Sequence, residues 1–123
     1  MVSVTHAISQ GDTAPPIDLL AAGLEQAERQ RIEAALEWIA DLYEGKVLGT
    51  GEPTWTHAIG AALIAASLRL DAETRVAALL FAAWEELEAP AEEIEARFGP
   101  AITALVRGLH KLNGLRVLTR LTT

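Results

Sequence analysis

The sequence predicts an all-α fold, and three observations carry that prediction. Apolar residues recur at intervals of three and four along most of the 123 residues, glycine and proline fall between those stretches, and no segment alternates apolar with polar residues as a half-buried strand would. A chain of this length suits one domain with one core. Half of its residues are apolar and 22% are charged, so it can bury enough surface to offset the entropy lost on folding. There is no internal repeat.

Residues 1–16 end in Thr13-Ala14-Pro15-Pro16 and read as a flexible lead-in to a domain at 17–123. A short helix from Ile17 to Ala22 meets Gly23. From Glu25 to Glu44, Ile32, Leu36, Ile39 and Tyr43 form one apolar stripe, and Gly45 closes that helix. Lys46 to Thr54, with Gly49, Gly51 and Pro53, follows neither period and is expected to be a structured loop.

Trp55 to Leu68 is apolar nearly all round and alanine-rich, which predicts a helix buried on several sides. Asp71 is placed to cap a helix from Ala72 to Leu87, whose stretch Val76 to Trp84 has no polar side-chain group except the indole N–H. These two helices are the expected core pair. Ala89-Pro90 breaks the pattern, Ala91 to Phe98 makes a short acidic helix, and Gly99-Pro100 stops it and starts another. The last helix is expected to bury Ile102, Leu105, Val106, Leu109 and Leu112 and to break at Asn113-Gly114. The chain then stops at Arg120-Leu-Thr-Thr with neither cap nor breaker, as a piece of a longer polypeptide would.

The net charge of −7 is unevenly spread. Residues 71–98 carry Asp71, Glu73, Glu85, Glu86, Glu88, Glu92, Glu93 and Glu95 against Arg75 and Arg97, whereas 99–123 carry Arg107, Lys111, Arg116 and Arg120 and no acid. Cations near the end of a terminal helix complement its dipole, and an acidic partner or phosphate is the sharper alternative. An acidic chain with so few cations argues against direct nucleic-acid binding. The longest run free of formal charge, Pro53 to Leu68, is shorter than the ~20 residues of a membrane span. The start, Met1-Val-Ser-Val, lacks a basic region and a long apolar run, so it does not read as a signal peptide. Without cysteine the chain has no disulfide or thiolate chemistry and fits a reducing compartment, with the cytoplasm as the expected location.

Complete catalytic constellations are absent from the sequence. His6, His57 and His110 are not spaced to share a helix face, and there is no His-Glu-x-x-His, so a metal centre has no obvious ligand set. His57, on an apolar helix, reads as a core histidine with one hydrogen bond. Glu85 and Glu86 are adjacent, so on one helix they cannot act together as an acid/base pair. Gly49-Thr50-Gly51 lacks the following Lys-Ser/Thr of a phosphate loop, and there is no nucleophile elbow.

The stretch Gly51-Glu52-Pro53-Thr54-Trp55-Thr56-His57, followed by Leu70-Asp71-x-x-Thr74, Ala77-Ala-Leu-Leu80, Ile94, Phe98-Gly99 and Leu105-Val-x-Gly108-x-x-Lys111-Leu112, resembles the N-terminal HD domain of the RelA/SpoT alarmone enzymes. The resemblance runs without gaps from about Gly45 to Leu112 and implies an HD-type helical bundle that stops short of its last helices.

In active members such a domain hydrolyses the 3′-pyrophosphate of (p)ppGpp with manganese, held by a histidine, a His-Asp pair and a later aspartate. The resemblance puts the first ligand at His57, but Phe81 and Ala82 stand where the His-Asp pair belongs, and the fourth position would lie beyond Thr123. The family's Glu-Asp pair falls on Glu85 and Glu86, its base-holding arginine on Leu48 and its tyrosine on Thr54. The implied domain therefore has vestigial His57, Glu85 and Glu86, no functional metal or catalytic residue, and poor prospects of nucleotide binding.

This erosion, with the start Met1-Val-Ser-Val and the run Gly108-x-x-x-Leu-x-x-Leu115-Arg116, looks like the RelA branch. It implies a regulatory or scaffolding part of a ribosome-associated GTP pyrophosphokinase whose downstream synthetase domain uses magnesium. Three alternatives stay open: a phosphohydrolase with another metal set built on His57 and Glu85, a free-standing acidic interaction module, and a regulatory nucleotide site using Lys46 or the C-terminal cations. An exposed Leu/Val face at 102–118 would promote self-association, and homo-oligomers are expected.

Overall fold

A computed structural model describes residues 15–122, with side chains for 15–112; the expected lead-in lies outside the described residues except for Pro15 and Pro16. The helices are α1 (Ile17–Leu20), α2 (Gln26–Leu42), α3 (Thr54–Ser67), α4 (Ala72–Leu80), α5 (Ala83–Glu86), α6 (Pro90–Phe98) and α7 (Pro100–Thr122). No strand occurs among the described residues, so the architecture is all-α. Local chemistry sets most of the ends. Glu25 N donates to Glu28 Oε1 at 3.1 Å before α2. Thr74 N donates to Asp71 Oδ1 at 2.9 Å before α4, and this hydrogen bonding holds the Asp71 carboxyl below its ordinary pKa. Gly99, at φ +94, turns α6 into the Pro100 that starts α7.

Helix α4 is the centre of the bundle and packs against α2, α3 and α7. Its Val76, Ala77, Leu79 and Leu80 are fully buried in one cluster with Ile32, Ala35 and Ile39 of α2, Ala62 of α3, and Ile102 and Val106 of α7. The α3 stripe that faces inward is largely alanine (Ala58, Ala62, Ala65, Ala66), which lets α3 lie close. Its outer side stays open, with Ile64 exposed, so α3 is less enclosed than its composition predicts.

Three expectations about the helices fail for identifiable reasons. The helix expected over 72–87 is two helices broken at Phe81-Ala82. In an unbroken helix Leu79 O would accept from the amide of Ala83. Here the buried Tyr43 hydroxyl donates to Leu79 O at 2.6 Å in place of that amide. The phenol has inserted into the ladder, a recognised cause of helix kinks. The next bonds, Trp84 N to Phe81 O at 3.4 Å and Glu85 N to Ala82 O at 3.2 Å, follow the tighter i→i+3 pattern.

In α7 the core side is the stripe through Ile102 and Val106, so Leu105, Leu109 and Leu112 on the neighbouring stripe are exposed, at 38%, 38% and 58%. The helix also continues through Asn113-Gly114 to Thr122. A glycine inside a long helix costs only about 1 kcal/mol, and no following turn forces an end there.

One buried cation carried no signal in the periodicity. Arg75, 2% exposed, donates through Nε to Leu70 O at 2.8 Å and through Nη1 to Leu20 O at 3.0 Å and Ala22 O at 2.9 Å. It joins the C-terminal end of α1 to the α3–α4 turn, where unpaired helix carbonyls favour positive charge.

Candidate functional site

A cavity of about 200 Å³ opens between the α2–α3 loop and the α4–α5 break. The loop is folded by a few backbone bonds: Gly51 N donates to Leu48 O at 2.8 Å, Leu48 N to Glu52 O at 2.9 Å, and Thr54 N to Lys46 O at 3.0 Å. Gly51 sits at φ +94, a conformation that favours glycine. This turn presents Val47, Leu48 and Gly49 to the cavity, opposite Phe81 and Ala82 of the break. Thr54 closes one side from the start of α3, and Glu85 and Glu86 border the other.

Six of the residues singled out in the sequence therefore meet around one space: Leu48, Thr54, Phe81, Ala82, Glu85 and Glu86. His57 does not line it. Its side chain is 49% exposed and its Nδ1 lies 3.2 Å from Glu52 Oε1, so it is a surface histidine paired with a carboxylate and not the core residue expected from its apolar helix. The N-terminal turn of α3 points that position outward while Trp55, Ala58 and Ile59 take the core side.

Glu85 and Glu86 both border the cavity. Helix α5 is a single turn, and its last residues splay to either side. Glu86 Oε1 is 3.4 Å from Lys46 Nζ on the loop, and Glu85 Oε2 is 3.9 Å from His110 Nδ1 on α7. The His110 ring packs on Trp84 with centroids 5.7 Å apart, and the Arg107 guanidinium lies 5.7 Å over the same indole. Lys46, considered above as a phosphate contact, is engaged with Glu86.

Phe81 and Ala82 bring no metal-ligating group to the cavity. A phenyl ring and a methyl group have no lone pair to donate. Among the described residues no three His, Asp or Glu side chains are grouped to hold one. Tyr43, which ends the apolar stripe of α2, sets the break that shapes the cavity; burial pushes its phenol pKa well above the ordinary range.

The chain is 35% identical over 98 residues to the bifunctional (p)ppGpp synthase/hydrolase SpoT of Escherichia coli, a match covering 80% of this chain and 14% of that protein. It is 40% identical over 76 residues to the guanosine-3′,5′-bis(diphosphate) 3′-pyrophosphohydrolase of Vibrio cholerae, covering 62% and 11%. It is also 30% identical over 93 residues to a GTP pyrophosphokinase of Streptomyces coelicolor, covering 76% and 11%. The family profile of the HD domain matches residues 35–123. The chain belongs to the HD-domain family, RelA/SpoT type.

The HD match takes in the second half of α2 and everything after it, whereas α1 and the first half of α2 precede it. The cavity thus lies within the HD part, at the α4–α5 break. The chain spans about one seventh or less of the length of these relatives. No helix among the described residues is long and apolar enough to cross a membrane.

Proposed function

We propose that this HD domain is a pseudo-hydrolase: a ppGpp-hydrolase fold without hydrolytic activity that restrains or positions a neighbouring synthetase domain. The observation that carries the reading is the cavity wall at Phe81 and Ala82, where the family resemblance calls for a His-Asp metal pair. Glu85 and Glu86 remain beside it, but a carboxylate without a cation cannot bring a water's pKa down to about 7, as metal centres do. His57 turned outward onto Glu52 removes the remaining candidate ligand from the cavity. That placement also weakens the alternative of a second metal set built on His57 and Glu85.

The parent protein in this reading is a RelA-like, cytoplasmic, ribosome-associated GTP pyrophosphokinase of the stringent response. Its synthetase domain would use magnesium, and this domain would need no cofactor. The similarity to a GTP pyrophosphokinase supports the assignment. Release of pyrophosphate from ppGpp, followed with and without manganese for this chain and for a polypeptide extended beyond residue 123, should stay at background. Turnover by the extended polypeptide would overturn the proposal, and stoichiometric manganese, iron or zinc by elemental analysis would revive a metal-dependent reading.

A further inference from the structure

The same cavity has the walls and charge of a site for a cationic side chain. Its volume, about 200 Å³, lies below the ~300–1,000 Å³ of pockets that enclose drug-sized ligands, so it suits a single side chain better than a nucleotide. Val47, Leu48 and Ala82 give it apolar walls, and Phe81 adds an aromatic ring. Two carboxylates border it, and one lysine, Lys46, approaches only the second of them. An anionic phosphate group would meet an excess of negative charge there.

A further observation points to a ligand. Thr54 is only 3% exposed and lines the cavity, yet its hydroxyl has no hydrogen-bond partner among the described residues. Buried hydroxyls are normally satisfied, and leaving one unpaired costs about 1–3 kcal/mol.

We propose that the cavity binds one guanidinium group, that of an arginine. The methylene stem would lie along Val47 and Leu48, the planar head would stack on Phe81, and its N–H groups would reach Glu85, Glu86 and the Thr54 oxygen. A guanidinium matches this wall better than an ammonium because it stacks on aromatic rings and offers a fork of donors to carboxylates. The inference rests on the pseudo-hydrolase reading only in taking the cavity to be free of metal. The arginine can belong to an apposed polypeptide segment or be the free amino acid, and the two sources differ in the α-carboxylate that only the latter brings toward Glu85 and Glu86.

Amide chemical shifts of the intact chain titrated with N-acetyl-arginine amide, L-arginine, N-acetyl-citrulline amide and inorganic pyrophosphate test this. Saturable shifts at Leu48, Thr54, Phe81, Glu85 and Glu86 are expected with the capped arginine and not with its neutral citrulline isostere. Tighter binding of the capped form than of L-arginine supports a polypeptide source, and the reverse supports the free amino acid. Glu85→Gln/Glu86→Gln should weaken binding about tenfold or more, as loss of a charge-assisted pair does. Thr54→Val, which keeps the side-chain shape, should weaken it several-fold and serves if the double variant does not fold. Absence of saturable shifts, equal binding of citrulline, tighter binding of pyrophosphate in the cavity, or undiminished binding by a folded variant would overturn the proposal. Those failures would leave the absence of hydrolysis standing, since that is read in a separate assay.

Discussion

Replacing Arg75 by methionine tests whether one buried guanidinium holds the first helix to the bundle. Three carbonyls lose a charged donor in that variant: Leu70 O, Leu20 O and Ala22 O. Hydrogen bonds to charged groups contribute about 1.5–3 kcal/mol each, but they do not simply add here. The bonds to Leu70 O and Ala22 O are only partly buried, so those carbonyls can regain water, whereas the Arg75–Leu20 bond is buried. The substitution also removes the cost of keeping an unpaired cation out of water. The net expectation is a loss of about 2–4 kcal/mol. For a domain of this size that lowers Tm by about 10 °C.

Lysine should recover less than half of the loss. Its single ammonium cannot span the separation that the guanidinium covers, with Nε on Leu70 and Nη1 on α1. Urea denaturation of the three proteins gives the free energies, and native-state hydrogen exchange at residues 19–22 reports whether α1 opens before the rest. Arg75→Met within about 0.5 kcal/mol of the parent, or Arg75→Lys equal to it, would refute the reasoning.

Tyr43→Phe should cost about 1–2 kcal/mol, because Leu79 O loses its buried donor and regains only part of a helical bond from Ala83. The folded phenol titrates above its unfolded value, so its contribution is complete below about pH 10 and is lost as pH rises toward the higher folded pKa. Urea midpoints measured upward from pH 9 should therefore fall for the parent and converge on those of Tyr43→Phe; a gap that widens would sink this account. Phe81→His/Ala82→Asp should destabilise the domain by about 1–3 kcal/mol by placing unpaired polar groups in a half-buried apolar wall. Manganese should leave the Tm of that variant unchanged because His57 is turned away, whereas a manganese-dependent rise would show that His57 can reach the cavity.

The order of helices, the Asp71 cap, the stop at Gly99-Pro100 and the stripe through Ile32, Leu36 and Ile39 were legible in the sequence, because each depends on residues within a few positions of one another. The positions that meet at the cavity were legible through the family pattern, which names Leu48, Thr54, Phe81, Ala82, Glu85 and Glu86 together. Where those side chains point was decided by tertiary structure. Tyr43 acts across 36 residues to break the helix at Leu79, and Arg75 acts across 55 to hold Leu20. Periodicity carries no trace of such bonds: a tyrosine on an apolar stripe and an arginine in an amphipathic helix look ordinary until their partners arrive. The outward turn of His57, the shared cavity of two adjacent glutamates and the exposed leucines of α7 have the same origin. Local spacing fixes which side of a helix a residue lies on, and only the packing of the other helices decides which side becomes the inside.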